Sequence, residues 1–281
     1  MRFSTDTPGR TLDSDPAHPA ARLRALHRDP LVLANAWDAA SAVAIAEAGA
    51  TALATTSAGI AWSHGLPDGC RIGREGMVRA VRRIIAAVDI PVTVDIENGY
   101  GSGAAEVAET VTQIVGAGAA GINLEDSRSN DGLHSPEEQA DRIRAARTAA
   151  DQAGAPDLVI NARTDVYFNA AHSAADPLAE VLARAESYAG AGCLFVPGLL
   201  DVAVLARLVT ASPLPINAMT GPGGPSVEQL VRAGVRRISL GPALHLATYA
   251  ALHRAATEFL ASGTYDTFAD ATSIASAVIR S

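Results

Sequence analysis

Residues 91–101 of the chain read PVTVDIENGYG. Its first half is apolar and β-branched, as expected of a buried β-strand, and it ends in two acidic residues, Asp95 and Glu97. A buried carboxylate is unfavourable unless a positive charge or hydrogen bonds compensate it. The segment therefore predicts a strand that leads directly into a site where such compensation exists.

Similar short apolar segments recur along the chain and alternate with longer, Ala-rich helical patterns. The predicted strands cover residues 31–37, 52–57, 92–97, 121–125, 158–164, 194–197, 216–219 and 237–240. The predicted helices include residues 77–88, 105–115, 136–151, 178–189, 202–209 and 227–233. Eight strands that alternate with helices are typical of a parallel sheet, and eight is the number that closes a barrel. We therefore expect the α/β class and a (β/α)8 TIM-type barrel.

The chain reads as one folding unit, because no shift in composition and no long linker divides its 281 residues. We expect an N-terminal tail over residues 1–30, frayed at its start and with a short helix over 20–27. A single barrel domain then covers residues 31–281. Its last part, residues 243–279, is a helical segment longer than one barrel helix requires.

Net charge, cysteine content and hydropathy exclude some classes of function. The formal net charge of -8 argues against nucleic acid or an anionic membrane as the main partner, whereas a small anionic substrate responds to local charge only. Two distant cysteines, Cys70 and Cys193, do not make a disulfide framework, so a reducing cytoplasm is the simplest location. No secretion signal is recognisable, and no apolar stretch approaches the roughly 20 residues that a membrane span needs.

Acidic residues are concentrated where the predicted strands end, which is where barrels of this kind carry their sites. Residues two apart on a strand share a face, so Asp95 and Glu97 are expected to point into the barrel mouth. The next strand contributes Glu125 or Asp126, and the preceding long loop offers Asp68. Carboxylates that converge repel one another unless a cation is present, and oxygen ligands of this type suit Mg²⁺ or Mn²⁺. The alternative is that these acids cap helices or pair with arginines.

Other strand ends offer groups that could bind a substrate. Arg163 shares a face with Asn161 and could bind a carboxylate with both arms of its guanidinium, or pair with one of the acids. Residues 55–60, TTSAGI, provide small side chains and backbone N–H groups suited to an oxyanion cradle. Residues 220–226, TGPGGPS, are either a phosphate loop or a turn that leads to a helix cap.

Taken together, these segments resemble the isocitrate lyase/phosphoenolpyruvate mutase superfamily. The resemblance runs in order from about residue 31 to residue 250 and rests on TTSAGIAWSHGLPDG (55–69), VTVDIENGYG (92–101), GINLEDS (121–127), INARTDVY (160–167) and INAMTGPGGPSVEQLVRAGVRRISLGPAL (216–244). It implies a Mg²⁺-dependent (β/α)8 barrel that makes or breaks a C–C or P–C bond in small 2-oxo or 2-hydroxy acids through an enolpyruvate-like oxyanion.

The resemblance also implies roles for particular residues. The oxyanion cradle is Ser57, Ala58 and Gly59, the metal shell is Asp68, Asp95, Glu97 and Glu125, and Arg163 and Asn217 contact the substrate. It further implies that a C-terminal helix is exchanged between subunits. This would explain the long helical segment after residue 243 and predicts a homodimer or homotetramer.

The sequence departs from that superfamily in the loop after the fourth strand, DSRSNDGLHSPEEQ, residues 126–139. The lyases carry a cysteine there that acts as the acid/base, and the mutases carry a lysine, but this loop has neither. His134 is a candidate replacement, because histidine is the usual acid/base, although it also sits at a helix start capped by Ser135. Asp126, Ser127 and Tyr100 are further candidates.

These observations favour a Mg²⁺-dependent lyase or hydrolase that cleaves a C–C bond, or less favourably a P–C bond, in a small 2-oxo or 2-hydroxy carboxylic acid. Arg163 and His134 are its candidate catalytic residues. One alternative is a small-acid-binding or scaffold protein on the same fold whose catalytic loop has changed, and another is a phosphonate enzyme like phosphoenolpyruvate mutase. A sugar-phosphate aldolase that uses a lysine Schiff base is excluded, because all 22 basic residues are arginine.

Overall fold

Eight parallel strands form a closed barrel in which each strand pairs with the next along the chain and β8 returns to β1. The computed structural model describes residues 18–128, 132–169, 172, 174–269 and 278. The strands are β1 (Leu31–Ala36), β2 (Leu53–Thr55), β3 (Val92–Asp95), β4 (Gly121–Glu125), β5 (Val159–Arg163), β6 (Cys193–Phe195), β7 (Ile216–Met219) and β8 (Arg237–Ser239). The predicted fold class and all eight predicted strands are confirmed.

Helices surround the barrel. They are α1 (Pro19–Leu26), α2 (Ala39–Glu47), α3 (Ser57–Ser63), α4 (Gly73–Ala86), α5 (Ala104–Gly116), α6 (Pro136–Gln152), α7 (Pro177–Ser187), α8 (Val202–Ala211), α9 (Val227–Arg232) and α10 (Ala243–Ser262). The six helices named from the sequence are present, with ends that differ by up to four residues. The short helix α3 was expected as a loop. In the described part of the chain, no helix is both long and apolar enough to cross a bilayer.

The barrel strands separate two kinds of side chain. Outward-facing residues such as Val92, Val94 and Ile122 are fully buried against the helices and form the main hydrophobic core. Because side chains alternate along a strand, the residues between them face the barrel interior. On β3 and β4 these inward residues are polar, namely Thr93, Asp95 and Asn123. The alternation thus delivers polar groups toward the mouth while the outer layer supplies the hydrophobic stabilisation.

The first helix closes the opposite, N-terminal end of the barrel. Leu23 of α1 is fully buried in a separate small core with Leu31, Leu33 and Val159, which line the barrel interior. His18 caps the helix by accepting a hydrogen bond from the Ala20 N–H at 3.2 Å. The predicted short helix is therefore present and covers the barrel floor. The predicted fraying of the chain's start lies outside the described residues.

The predicted helical segment over residues 243–279 is not one continuous helix. Helix α10 ends at Ser262, because Gly263 adopts the left-handed conformation (φ 71°) that terminates helices. The side chain of Glu258 then accepts hydrogen bonds from the backbone N–H groups of Asp266 (2.7 Å) and Thr267 (2.8 Å). These bonds turn the chain into a short 3-10 helix, Asp266–Phe268. Of the residues after 269, only Val278 is described.

The substitution Leu23→Ala tests the packing of α1 on the barrel floor. Deleting a fully buried leucine leaves a cavity, so we expect the free energy of unfolding to fall by about 3 kcal/mol in urea denaturation. Leu200→Ala is the matched control, because Leu200 is exposed and should change stability by less than about 0.5 kcal/mol. Equal losses in the two variants would contradict the described packing.

Candidate active site

A cavity of about 180 Å³ lies at the carboxyl end of the strands. Its polar lining includes Asp68, Asp95, Asn123 and Arg163, and its apolar wall includes Trp62, Phe168, Phe195 and Met219. The register places Asp95 beside Asn123, and Glu125 beside Arg163 one layer higher. Three of the sequence-predicted site residues therefore line one cavity, together with the Ser57 and Ala58 segment.

Asp95 is the carboxylate at the centre of this cavity. Its backbone N–H donates to the Thr55 hydroxyl at 2.9 Å, which fixes the end of β3. Its carboxylate accepts the Ser57 N–H at 3.4 Å and the Glu97 N–H at 3.1 Å. Asp68 faces the same cavity from the loop after α3, and burial of its carboxyl group, followed by repulsion from Asp95, raises its pKa. These two acids are held near one another without a dedicated cationic partner.

Glu97 does not follow the alternation predicted for the strand. Strand β3 ends at Asp95, and Glu97 adopts a left-handed backbone with φ 51°. Its carboxylate accepts hydrogen bonds from the Tyr100 hydroxyl at 2.8 Å and from the Cys70 N–H. Burial and then repulsion by Asp95 raise its pKa. Because Cys70 and Tyr100 also have positive φ angles, strained backbone is concentrated around this one carboxylate.

Arg163 is paired with acids, as one of the two sequence interpretations proposed. Its Nη1 contacts Glu125 Oε2 at 3.0 Å, and its Nε and Nη2 donate to the two carboxylate oxygens of Asp165 at 2.6 and 3.0 Å. Burial alone would lower the pKa of Arg163, but these two carboxylates raise it. Burial raises the pKa of Glu125, and Arg163 partly opposes this effect. A guanidinium has five N–H donors, so two remain for a ligand.

Asp126 anchors the loop after β4 rather than facing the cavity. It is fully buried, and its carboxylate accepts hydrogen bonds from Arg184 Nη1 and the Tyr188 hydroxyl, each at 3.0 Å. Its other oxygen accepts the Asp165 N–H at 3.0 Å. Ser127 donates from its hydroxyl to Asp165 at 2.5 Å. These bonds join the ends of β4 and β5 to α7 and so hold Asp165 against Arg163.

His134 lies in a different place from the small cavity. Its backbone N–H donates to the Asp126 carbonyl at 2.7 Å, and its own carbonyl accepts from Arg184 at 2.8 Å. Its ring is 3.6 Å from Glu138 and lines a larger cleft of about 1070 Å³ that also contains Cys70 and Tyr100. Burial, followed by Arg142 and Arg128, lowers its pKa. Its proposed role as acid/base stays a prediction, and the cavity with Asp95 does not include it.

The expected oxyanion cradle is the first turn of α3. Thr56 caps this helix by accepting the Gly59 N–H at 3.4 Å, and the Ser57 N–H is directed at Asp95. Of the three amides, only that of Ala58 has no protein acceptor assigned to it. A Cβ at Gly59 would lie 2.7 Å from the Thr56 Cγ2 and 3.0 Å from the Trp37 Cβ, so glycine is required for this close approach.

The remaining predicted groups lie outside the cavity. Asn217 is 1% exposed and sits one layer below Met219, which does line the cavity. Residues 220–226 form a turn, since the Thr220 hydroxyl donates to the Pro225 carbonyl at 2.8 Å and Ser226 caps α9. Cys193 is fully buried on β6. The glycine-rich segment therefore forms the predicted turn and helix cap, and its alternative use as a phosphate loop stays a prediction.

Sequence reasoning missed several residues of the site. Asp165 and Phe168 lie in the loop after β5, and the Arg163 guanidinium carbon lies 5.1 Å from the centre of the Phe168 ring. A Cβ at Gly198 would come within 2.6 Å of the Tyr167 carbonyl, so glycine after β6 lets this loop fold over the mouth. Asn123 could have been found, because it lies two residues before Glu125 on the same strand face.

The acids do not converge into a ready-made cage. Among the residues that the structure describes, no group of three or more His, Cys, Asp or Glu side chains is arranged to hold a metal ion. Glu97 and Glu125 have protein partners, whereas Asp68 and Asp95 share the cavity. Two carboxylates therefore line the cavity, and the other two are bound to neighbouring residues.

Comparison with known proteins places this geometry in a family. The family model described as phosphoenolpyruvate phosphomutase matches residues 23–260. The 2-methylisocitrate lyase of Escherichia coli (strain K12) is 34% identical over 210 residues, which cover 71% of this chain and 68% of that protein. A solved structure from Burkholderia cenocepacia J2315 superposes with a TM-score of 0.81 at 46% identity and covers 85% of this chain and 98% of its own.

A more distant solved structure shares the same architecture. Oxaloacetate acetylhydrolase, in complex with the inhibitor 3,3-difluorooxalacetate, superposes with a TM-score of 0.79 at 26% identity over 90% of each chain. The family match covers the whole barrel, including every strand that contributes to the cavity. The chain therefore belongs to the phosphoenolpyruvate phosphomutase family, within the isocitrate lyase/phosphoenolpyruvate mutase superfamily.

Proposed function

We propose that this protein is a divalent-metal-dependent lyase or hydrolase that cleaves a carbon–carbon bond in a small 2-oxo or 2-hydroxy carboxylic acid. The observation that carries the proposal is the pair of carboxylates, Asp68 and Asp95, that face one cavity beside the paired Arg163. The E. coli relative is a lyase and the superposed acetylhydrolase is a hydrolase, which supports a reaction of this class.

The residues present fit a hard divalent cation. Carboxylate oxygens are the ligands that Mg²⁺ and Mn²⁺ prefer, and Mg²⁺ keeps several of its waters. Asp68 and Asp95 would hold the ion, and Glu97 and Glu125 would add negative charge around it. The raised pKa of Asp68 supports this assignment, because burial and repulsion by Asp95 disfavour its charge until a cation is bound. When bound, the ion would polarise the oxygens of the substrate as a Lewis acid.

The chain's own residues would orient the acid and exclude water. The two N–H groups of Arg163 that remain beyond its acid partners would donate to the substrate carboxylate, and the Ala58 N–H is available to a developing oxyanion. Phe168 and Phe195, whose ring centres lie 5.1 and 5.7 Å from the Arg163 guanidinium carbon, form an apolar wall on this side. This apolar wall favours a compact acid whose remaining substituent is small and apolar, and it disfavours an acid with several additional charges.

A second candidate is a binding protein for the same acids. It is favoured by one observation: the described lining of the cavity contains no histidine or cysteine to serve as acid/base. Incubation of a panel of 2-oxo and 2-hydroxy acids with Mg²⁺, read by mass spectrometry of products, separates the two. Product formation that is abolished by EDTA supports the metal-dependent enzyme. Tight Mg²⁺-dependent oxalate binding without turnover of any acid would support the binding protein instead.

The substitution Asp95→Asn tests the metal carboxylate in the enzyme. It keeps the size and one of the two accepted N–H bonds but removes the charge, so we expect kcat/KM to fall by more than about a hundredfold with the substrate found in the panel. Circular dichroism should show an unchanged fold. Activity within about tenfold of the wild type would contradict direct metal binding by this residue.

The substitution Asp68→Asn tests the repulsion between the two acids through pH. An acid whose pKa is raised by folding contributes stability at low pH that is lost as pH rises through the raised value. Without metal, the variant should therefore have a higher melting temperature than the wild type at neutral pH, and this advantage should shrink toward about pH 4. A constant difference across that range would show that the charge of Asp68 is not the cause.

We further propose that the protein works as a homodimer or homotetramer in the cytoplasm. A groove of about 1010 Å³ between α2 and α10 is lined mainly by apolar side chains, and Leu246, Leu252 and Phe259 of α10 are more than half exposed. Exposed apolar side chains beside an apolar groove are typical of a surface that another subunit covers. The two free thiols, Cys70 and Cys193, support a reducing compartment.

The substitution Leu252→Glu tests this assembly. A charge in the centre of the apolar face should prevent association, so light scattering after size exclusion should show a shift from the oligomer to the 28.8 kDa monomer. Arg254→Ala on the same helix is the control, since it removes a polar side chain and should leave the mass unchanged. A wild-type protein that elutes as a monomer at micromolar concentration would refute the assembly.

A further inference from the structure

The barrel interior directly beneath the cavity is polar. Thr93, Asn123, Asn161, Asn217 and Arg237 occupy inward positions of five strands, and each is at least 93% buried. Branched aliphatic residues usually fill these layers of a barrel. A polar layer at this position costs stability, because each group must be desolvated and then find a partner. Its arrangement therefore calls for an explanation beyond packing.

Arg237 is the most unusual member of this layer. It is fully buried, and no described carboxylate lies within ion-pair distance of it. Its Nη2 donates to the Thr93 hydroxyl at 3.3 Å and to Asn123 Oδ1 at 3.4 Å, while its Nε and Nη1 have no partner. Burial lowers its pKa to about 10, so it is still protonated at neutral pH. It therefore presents donors only.

The donors of Arg237 fix the orientation of one amide. Asn123 Oδ1 also accepts a hydrogen bond from Asn161 Nδ2 at 2.7 Å, so two donors converge on a single oxygen. Rotating the Asn123 amide by half a turn would place its NH₂ group against the guanidinium. The oxygen must therefore point into the layer, and the NH₂ group is left on the side of the cavity that Asn123 lines.

Asn35, a second asparagine in the same cavity, differs from Asn123 because both ends of its amide are bound. Asn35 Nδ2 donates to the Thr55 carbonyl at 2.9 Å, and Asn35 Oδ1 accepts the Leu240 N–H at 3.0 Å. Both ends of that amide are bound to backbone, so Asn35 joins neighbouring strands. The Nδ2 of Asn123 has no assigned acceptor, and its strand register places it beside Asp95. The Asn123 Nδ2 group is therefore a hydrogen-bond donor beside Asp95 that can bind an oxygen atom of a ligand.

We infer that Asn123 is a substrate-binding residue that donates a hydrogen bond from Nδ2 to an oxygen of the organic acid at the cavity floor, and that Arg237 is the positioning residue that fixes its amide. This inference rests on the proposed function, which supplies the acid. It also specifies the ligand: the atom over Asn123 is a hydrogen-bond acceptor, such as a carboxylate, ketone or enolate oxygen. An ammonium group or another pure donor would be rejected there.

Oxalate is the probe for the test, because its two adjacent carboxylates mimic a planar 2-oxo acid in its enolate form. Isothermal titration with oxalate in MgCl₂ should show about ten- to hundredfold weaker binding for Asn123→Leu, which has the same size and no donor. Asn123→Asp should be at least as weak, since it replaces the donor by an acceptor. If the leucine variant fails to fold, Asn123→Ala, which removes the donor without adding a charge, carries the same comparison.

Arg237→Met tests the positioning role. The variant should bind oxalate more weakly than the wild type, because the Asn123 amide is no longer fixed, while Arg237→Lys should recover most of the binding by restoring a donor. The melting temperature separates this role from a structural one. Removing an unpaired buried charge should leave it equal or higher. Mn²⁺ affinity without oxalate, read by electron paramagnetic resonance, should be unchanged in Asn123→Leu.

The outcomes distinguish this inference from the proposed function. A wild-type protein that does not bind oxalate in the presence of Mg²⁺ overturns the proposed function and this inference with it. Wild-type binding that Asn123→Leu and Asn123→Asp both retain overturns the inference alone. If Arg237→Met binds oxalate as the wild type does, or loses binding only in proportion to a lowered melting temperature, the positioning role is refuted.

Discussion

The repulsion between Asp68 and Asp95 is the constraint on which the rest of the site depends. Burial of the Asp68 carboxyl group and then repulsion by Asp95 raise the pKa of Asp68, so its charge is disfavoured in the cavity that the two residues share. The barrel nevertheless holds Asp95 firmly, through the Thr55 hydroxyl and the Ser57 N–H. A fold that holds these two carboxylates together leaves uncompensated negative charge in the cavity. A divalent cation can neutralise this charge.

The arginines that the structure describes around the site are bound mainly to other groups and do not form ion pairs with these two carboxylates. Arg163 is committed to Glu125 and Asp165, and Arg184 is committed to Asp126 and Glu180. Arg142 donates to the backbone carbonyls of residues 98, 101 and 102, and so stabilises the loop that follows β3. Each of these guanidinium groups thus has bonding partners other than Asp68 and Asp95. Arg163 still opposes the rise in the pKa of Asp68, but burial and the charge of Asp95 outweigh it.

The sequence predicted the barrel well, because β-branched runs and glycine-terminated helices are local signals. It also placed Asp95, Glu125 and Arg163 at the mouth, since alternation holds within a strand. It failed for Glu97, where the strand has ended and a left-handed backbone turns the carboxylate toward Tyr100. It missed the end of α10 because the Ala-rich pattern continues past Gly263, and it missed the anchoring of Asp126 because Arg184 lies 58 residues away.

The polar layer under the cavity lowers the stability of the barrel and in return orients a side chain of the site. An aliphatic interior would be more stable, yet it could not hold an amide in one orientation against free rotation. The guanidinium of Arg237 does so because it has only donors, and burial makes each of its contacts stronger than in water. Because the charge of Arg237 lies below Asp68 and Asp95 rather than between them, it does not compete with a cation that binds there. The layer therefore supplies orientation to the site, and the apolar shell outside the strands supplies the stability that this arrangement costs.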